Sequence, residues 1–421
     1  MKKIIYFFLI ANFALIREDC FSQWVLQYSH GSALLDVDFI NSQTGWTCGD
    51  GGVILKTTNG GENWIQQTSG SFNRLEGIDA VDANTLYAVG WFQTILKTTN
   101  GGTNWIAIRN GTTNTVPSFL KCFFLNANTG WLLRTSGWIL RTTDGGANFD
   151  SSQVTNGYIY DIYFKDALTG VLCGAAAFVA KSTDGGVTWV QVQLPLFQFQ
   201  APNLYRLSFV GNNGWTIGEG GTVNMGRLVY RTTDFGSTWD SIGRVPYPLN
   251  QLNYSVFFTN INTGYAGGTT GYIFKSTNGG FNWIQQNVPI NGFRRDFSFV
   301  NDSLGWVVGG GGYILKTTNG GTYVKVQNIT EEIPVKHSLK SIYPNPFNPV
   351  ANIEFEIGYT DDVEITVYDI QGRLIKVLVS EKLNPGRYKT TFNGENLSSG
   401  IYMCILTTTM VKLTKAMVLI K

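Results

Sequence analysis

Seven copies of one turn motif, about 40 to 50 residues apart, constrain the fold of this chain more than any other feature. Each copy follows an alternating apolar strand such as LLDVDFI and a second turn, usually TGW or LGW. The repeat therefore predicts four short antiparallel strands per unit. The copies are TTNGGENW at 57–64, TTNGGTNW at 98–105, TTDGGANF at 142–149, STDGGVTW at 182–189, TTDFGSTW at 232–239, STNGGFNW at 276–283 and TTNGGTYV at 317–324.

Seven such units predict a closed ring of blades, because radial closure protects the edges of many short sheets. We expect a seven-bladed β-propeller over residues 23–330. Residues 24–28 (WVLQY) resemble an outermost strand without a repeat before it, so they are predicted to complete the seventh blade. Whether residues 323–326 pair beside them or leave the ring is left open by the sequence.

Composition supports an all-β chain and names no partner. The 421 residues include 43% hydrophobic residues, enough for a large core, and 49 glycines that suit many tight turns. The net charge is only +2, so no global field favours nucleic acid or an acidic surface.

The first 22 residues predict a secretory signal peptide, since two lysines precede a short apolar run. Cys20 leaves a lipoprotein signal as an alternative, but Glu18 and Asp19 do not suit its cleavage site. No other segment resembles a membrane span. The five cysteines are far apart and are expected to be mostly buried free thiols, with a disulfide as the alternative.

The third position of the repeated turn is predicted to be structural. A short Asn or Asp side chain can bond to backbone amides, and the following glycines accept positive φ. A calcium or sugar site is the alternative, but the four asparagines offer no charge to a metal, so no metal or cofactor is expected. These residues are Asn59, Asn100, Asp144, Asp184, Asp234, Asn278 and Asn319.

Candidate ligand-binding residues lie on the face opposite the repeated turns. Aligning the first strands on a shared phenylalanine places a mixed-charge ring near the central channel. The ring can bind an anionic ligand through arginines or simply solvate a wet channel. Two tryptophans can add a stacking platform, or pack between blades. The candidates are Arg74, Arg206, Arg294, Arg295, Asp36, Lys121, Asp161, Asp296, Trp91 and Trp138.

The repeated turns resemble those of the Asp-box, or BNR-repeat, propellers, and the TGW-plus-KTTNGG form is most similar to the photosystem II assembly factor family. This resemblance implies a propeller whose boxes are structural and whose basic patch binds polypeptide. Sialidases and xyloglucanases share such repeats, so a surface glycoside hydrolase using channel carboxylates is the alternative function. The two histidines, His30 and His337, make a Ser-His-Asp or Cys-His site improbable.

The last eighty residues form a second predicted domain. After a linker at 331–340, residues 341–421 begin with YPNPFNP and continue as alternating strands that suggest a small immunoglobulin-like β-sandwich. They resemble the type A sorting domain of the type IX secretion system. The resemblance implies export through the type IX machinery to the cell surface or the medium.

We therefore expect an exported, non-enzymatic binding or adhesion propeller. Its ligand is an unknown polypeptide or glycan, with no nucleic acid partner and no transmembrane segment in the mature protein.

Overall fold

A computed structural model describes residues 24–112, 117–195, 201–219, 227–246, 253–269, 271–286, 288–321, 327–330, 334–395 and 397–421. The chain divides into two compact units, one spanning Ser22–Tyr323 and the other containing Val324–Lys421. The predicted signal peptide, including Cys20, lies outside the described residues. Within them, helix is limited to three short 3-10 turns, at Asp50–Gly52, Trp91–Gln93 and Gly310–Gly312.

The first unit consists of seven four-stranded antiparallel sheets, which confirms the seven-bladed propeller. The N-terminal strand is β1 (Val25–Ser29). Blade 1 contains β2 (Leu34–Phe39), β3 (Gly45–Gly49), β4 (Ile54–Thr57) and β5 (Ile65–Gln67). Blade 2 contains β6 (Leu75–Ala80), β7 (Leu86–Gly90), β8 (Thr94–Thr98) and β9 (Ile106–Arg109). Blade 3 contains β10 (Phe119–Phe124), β11 (Gly130–Arg134), β12 (Trp138–Thr142) and β13 (Asp150–Gln153).

The remaining four blades repeat this order. Blade 4 contains β14 (Ile159–Phe164), β15 (Gly170–Gly174), β16 (Val179–Ser182) and β17 (Val190–Val192). Blade 5 contains β18 (Asn203–Val210), β19 (Asn213–Glu219), β20 (Arg227–Thr232) and β21 (Asp240–Val245). Blade 6 contains β22 (Asn253–Phe258), β23 (Gly264–Gly268), β24 (Ile273–Ser276) and β25 (Ile284–Gln286). Blade 7 contains β26 (Arg294–Phe299), β27 (Gly305–Gly309) and β28 (Tyr313–Thr317).

The N-terminal strand closes the ring, as the sequence predicts. Strand β1 pairs antiparallel with β28, with Val25 opposite Lys316, and so becomes the fourth strand of blade 7. Trp24, just before β1, is fully buried against Tyr265 and Phe297. Residues 323–326, whose pairing the sequence leaves open, lie outside the described residues.

Aromatic stacking joins neighbouring blades. Phe39 of blade 1 stacks on Trp306 of blade 7 at 3.5 Å between ring centroids. Its ring also covers Gly45, where a Cβ atom would lie 2.5 Å away, which explains the glycine before the tryptophan in the TGW turn. The same stack recurs between Phe164 and Trp131. These rings bury large apolar area between the sheets.

The repeated turns are held by their own side chains. The Thr57 hydroxyl accepts a hydrogen bond from the Gly61 amide at 2.9 Å, and Asn59 Oδ1 accepts one from the Asn63 amide at 3.0 Å. Both bonds recur in the next five turns, where the second acceptor is Asn100, Asp144, Asp184, Asp234 or Asn278. In the last turn, Asn319 Oδ1 accepts from the Thr317 hydroxyl.

These turns also connect the blades. Trp306 donates its indole N–H to the Gly60 carbonyl of the next blade at 3.1 Å, and Trp131 donates to Gly185 at 2.9 Å. Each turn therefore stabilises the interface with the preceding blade.

The second unit is a β-sandwich. Its sheets are ordered β29-β34-β31-β30 and β33-β32-β35-β36. One buried cluster, with Phe355, Ile365 and Phe392 among its members, forms the core. The strands are β29 (Gln327–Thr330), β30 (Ser338–Tyr343), β31 (Val350–Ile357), β32 (Asp361–Asp369), β33 (Leu374–Leu383), β34 (Gly386–Asn393), β35 (Gly400–Thr407) and β36 (Lys412–Leu419).

The sandwich starts earlier than the predicted boundary at residue 341. Strand β29, which the sequence prediction assigns to the propeller, pairs with β34, with Asn328 opposite Tyr388. Strand β30 begins at Ser338, inside the predicted linker. Strand pairing is a contact between distant residues, so alternation alone does not tell which sheet a short strand joins.

The YPNPFNP segment supports the last strand of the sandwich. The Phe347 amide donates to the Val418 carbonyl at 2.8 Å, and the Ile420 amide donates to the Phe347 carbonyl at 3.0 Å. The Phe347 ring is buried, and Asn345 Oδ1 accepts from the Val418 amide. The YPNPFNP segment and the last strand, which stand at opposite ends of this domain in the sequence, therefore meet in one contact.

Cys48, Cys122, Cys173 and Cys404 are free and buried. Burial raises the pKa of the first three thiols well above its ordinary value, so they remain protonated and act as small apolar groups.

Candidate functional site

The first strands of the blades line the central channel. Each one contacts the first strands of both neighbouring blades, from β2 round to β26. One equivalent position in these strands forms what we call the inner ring, which is Asp36, Gly77, Lys121, Asp161, Arg206, Ser255 and Asp296. The five charged residues that the phenylalanine alignment predicts thus come together at one level, with Ser255 and Gly77 completing the ring.

Ion pairs cross the inner ring. Lys121 Nζ lies 2.9 Å from Asp36, and Arg206 Nη2 lies 3.2 Å from the same carboxylate. Arg206 Nε also bonds Asp296 Oδ1 at 3.2 Å. At Gly77, a Cβ would lie 3.2 Å from Lys121 Cα, so the missing side chain leaves room for the ion pair across blade 2. The two cations of the ring therefore pair with two of its three carboxyl groups across the channel.

Two carboxylates of the ring also bond the next blade. Asp36 Oδ2 accepts from the Ile78 amide at 2.9 Å, and Asp161 Oδ2 accepts from the Leu207 amide at 2.7 Å. In both cases the donor is in the first strand of the next blade, and it is the residue directly after the inner-ring position of that strand. These carboxylates therefore stabilise the ring of blades.

Burial and neighbouring charges set the protonation of the ring. Burial by itself would raise the pKa of Asp36, but Lys121 and Arg206 hold it well below its ordinary value. Burial raises the pKa of Asp296 well above its ordinary value, and the Asp36 charge adds to this shift. Of these two carboxyl groups, Asp36 is therefore the one that stays ionised, and Asp296 is the one that takes up a proton first as the pH falls.

A second layer lies two residues further along the same strands. Asp38 Oδ2 accepts from the Ala80 amide at 2.8 Å, Asp79 accepts from the Phe124 amide, and Ser298 Oγ accepts from the Phe39 amide at 3.1 Å. Blades 3, 4 and 6 instead place aromatic rings here, from Phe123, Tyr163 and Phe257. These residues surround a channel cavity of about 190 Å³.

The Asp79 carboxyl makes the propeller sensitive to pH. Burial, with the nearby Asp38 charge, raises the pKa of Asp79 from 3.8 to about 8. Its folded pKa exceeds the unfolded one, so its contribution to stability is greatest below pH 4 and falls as the pH rises towards 8.

We expect Asp79→Asn to stabilise the propeller at pH 8 by about 1 kcal/mol or more, and to change little at pH 4, because Asn keeps the acceptor oxygen. Urea unfolding followed by tryptophan fluorescence measures this, since all 12 tryptophans precede residue 307. Equal effects at both pH values would contradict the prediction. Asp150→Asn, on the exposed outer strand of blade 3, is the control.

A separate cluster lies on the face of the propeller where the loops enter the first strands. We call this face the loop face. Glu76 accepts from Arg74 Nε at 2.7 Å, from Trp91 Nε1 at 2.9 Å and from Arg295 at 3.3 Å. Arg74 also pairs with Asp50 at 3.1 Å and lies over the Trp91 ring. Glu76 is buried and positions the three side chains around it.

Other candidates do not join this cluster. The Arg294 side chain is buried, donates to the Ile290 carbonyl at 2.6 Å and lies against Gly267 of blade 6. Burial lowers the pKa of Arg294 to about 10. Trp138 packs under the Arg134 guanidinium, 4.7 Å from the ring centroid.

Sequence reasoning missed three groups on the loop face. Glu76 was missed because the alignment on the phenylalanines selects the inner-ring position, which is Gly77 in blade 2. Glu76 lies one residue before that position. Phe72 is 95% exposed, in the loop before β6. A continuous aromatic row runs from blade 4 to blade 5 and consists of Tyr158, Tyr160 and Tyr205. The alternating tyrosines of YIYDIYF were the sequence pattern that could have indicated this row.

Comparison with known families assigns both domains. Residues 17–113 and 151–284, more than half of the chain, match the family described as photosynthesis system II assembly factor YCF48. The chain belongs to the YCF48 family. Residues 341–421 of this YCF48-family chain match the secretion system C-terminal sorting domain, which implies secretion or a place on the outer surface.

Solved YCF48 structures share the propeller fold. YCF48 bound to a D1 peptide is 20% identical, with a TM-score of 0.58 over 71% of this chain and 98% of that one. YCF48 from Cyanidioschyzon merolae is 19% identical, with a TM-score of 0.56 over 70% and 98%.

A third similar structure comes from a secretion system. PorZ, described as an essential surface component of the type-IX secretion system of Porphyromonas gingivalis, is 14% identical. Its TM-score is 0.53 over 91% of this chain and 59% of that one. No curated protein matches the chain. Among the described residues of this YCF48-family chain, no helix has the length and apolar character to span a membrane.

Proposed function

We propose that this protein is an exported, non-enzymatic propeller that binds an extended polypeptide on its loop face. The observation that carries the proposal is the exposed aromatic surface beside the Glu76 cluster. Phe72 is 95% exposed and Trp91 is 41% exposed, although both are large apolar side chains. Exposed aromatic residues next to fixed charged groups are typical of protein interaction sites.

The arrangement suits a peptide because it is fixed before binding. Trp91 is held by its indole bond to Glu76, and Arg74 lies against its ring. A preorganised aromatic anchor loses little conformational freedom when it binds. The YCF48 structure with a bound D1 peptide supports a polypeptide as the class of ligand. The sorting domain would deliver this site to the cell surface or release it.

The channel carboxylates support a non-enzymatic role. Asp36 and Asp161 each use an oxygen to bond the next blade, and Asp36 is also paired with two cations. A glycoside hydrolase needs a carboxylic acid and a carboxylate that are both directed at the sugar. These groups instead hold the ring together.

We expect Phe72→Ala and Trp91→Ala each to weaken polypeptide binding by about tenfold or more, as anchor residues do. A peptide array probed with the full chain would supply the ligand, and calorimetry would measure its affinity. Phe281→Ala is the matched control, because Phe281 is 49% exposed but lies in a repeated turn on the opposite face. Loss of affinity in the control alone would contradict the proposal.

The same protein should hydrolyse no member of a glycan panel. Hydrolysis that disappears in Asp161→Asn or Asp296→Asn would establish the glycosidase alternative instead.

A further inference from the structure

The channel cavity is separate from the loop face. Its lining residues come from the inner ring and the second layer, including Asp38, Asp79, Arg206 and Tyr163. At about 190 Å³, it has room for more than a few water molecules. Its side chains play no part in the polypeptide site proposed above.

The cavity lies towards the repeated turns. The amide of the first turn glycine bonds the loop that follows the first strand, as Gly60 does with Gln43 and Gly101 with Asn84. First strands therefore end on the face of the repeated turns. Asp38 and Asp79 stand near those ends, so the cavity is on this side of the inner ring, whose ion pairs form its floor.

The cavity has an excess of negative groups. Lys121 and Arg206, its cations, are paired with Asp36 and Asp296 in the floor. Asp38 and Asp79 each use one carboxylate oxygen to accept a hydrogen bond from a backbone amide. Among the described residues, no salt bridge involves either carboxyl. An anionic ligand, one of the two alternatives that the sequence left open, would meet these two carboxyl groups, while both cations of the cavity are held in the salt bridges of the floor.

Aromatic rings form another part of the wall. Phe123, Tyr163 and Phe257 line the cavity at the positions where blades 1 and 2 have Asp38 and Asp79. Phe123 and Tyr163 lie 5.4 Å apart between ring centroids. Ring faces attract cations, and more strongly where water is excluded.

We propose that the channel cavity binds a small organic ammonium group, such as an alkylamine or a lysine side chain. Carboxylates on one wall supply charge and hydrogen-bond acceptors, and the aromatic wall accommodates the methylene groups. The described residues contain no group of three or more histidine, cysteine or acidic side chains suited to a metal ion. The mixed wall of the cavity thus fits an organic cation better than a hard metal ion.

Protonation of the carboxyls supports the proposal. Burial raises the pKa of Asp38 to about 6 and that of Asp79 to about 8. Both values already include the Asp36 charge, which raises the two pKa values, and the Lys121 charge, which lowers them. Burial also raises the pKa of Tyr163, so its hydroxyl stays neutral. A bound cation would favour the ionised carboxylates, so binding should release protons and strengthen as the pH rises from 5 to about 8.

Calorimetry of the full chain with n-butylammonium chloride tests the proposal. We expect saturable binding with proton release, measured in two buffers of different ionisation enthalpy at pH 7. Asp38→Asn with Asp79→Asn should weaken it by at least about tenfold, since both charges are lost while the amide acceptors remain. Asp150→Asn, on the exposed outer strand of blade 3, should leave it unchanged.

Three results would overturn the proposal. They are no binding by the folded wild-type chain, equal affinity in the double variant, and tighter binding of calcium than of butylammonium. Tryptophan fluorescence confirms that each variant is folded. Loss of peptide binding in Phe72→Ala bears on the loop face alone, so the two proposals fail independently.

Discussion

Arg206→Ala is expected to destabilise the propeller by about 3–5 kcal/mol, because it removes the cation that two buried carboxyl groups share. Arg206 bonds both Asp36 and Asp296, and its side chain is only 10% exposed. The alanine would leave the Asp36 charge facing Lys121 alone across the channel. The midpoint of urea unfolding, followed by tryptophan fluorescence at pH 7, measures the loss.

An exposed arginine provides the comparison for this variant. Arg109 lies on the outer strand of blade 2, and Arg109→Ala should change stability by less than about 0.5 kcal/mol. Adding Asp36→Asn and Asp296→Asn to the Arg206 variant should recover part of the loss, since it removes the uncompensated carboxyls. A loss below about 1 kcal/mol would show that the inner ring is solvated rather than tightly paired.

Trp306→Ala should cost a similar amount, about 3–5 kcal/mol, through a different mechanism. Trp306 is fully buried, stacks on Phe39 and donates to the Gly60 carbonyl. It stands where blade 7 meets blade 1, the interface that closes the ring. The substitution would leave a cavity and an unpaired carbonyl at that closure.

The comparison for this variant is Trp91→Ala, which removes the same side chain from a site that is 41% exposed. It should cost much less stability, although we expect it to reduce peptide binding. Urea unfolding of both variants under one set of conditions gives the difference. Equal losses would mean that burial at the closing interface does not govern stability.

The sequence predicted the propeller well because its repeats are local and equivalent. Each turn carries its own hydrogen-bonding residue, such as Asn59, so seven copies specify seven hairpins. Alternation in the first strands then placed Asp36, Lys121 and Asp296 at one level of the ring. The closing strand was predictable because residues 24–28 look like the strand they replace.

The sequence did not predict which neighbouring residues face the channel. Arg294 and Arg295 are adjacent, yet the first is buried against blade 6 and the second reaches Glu76 of blade 2. A register shift between Arg294 and Asp296 decides this. Such a bulge changes side-chain direction without a change in the alternating pattern.

The repeated turn determined by itself the number of blades, their order and the face on which the turns lie, because these follow from local hydrogen bonds and strand period. Only the tertiary structure decided the charge of the channel. Its arginine and lysine come from blades 5 and 3, and the carboxylates they neutralise come from blades 1 and 7. Pairing across a ring depends on distances that no single repeat contains. Among the residues that the structure describes, it leaves the channel carboxyls of Asp38, Asp79 and Asp161 without a salt bridge.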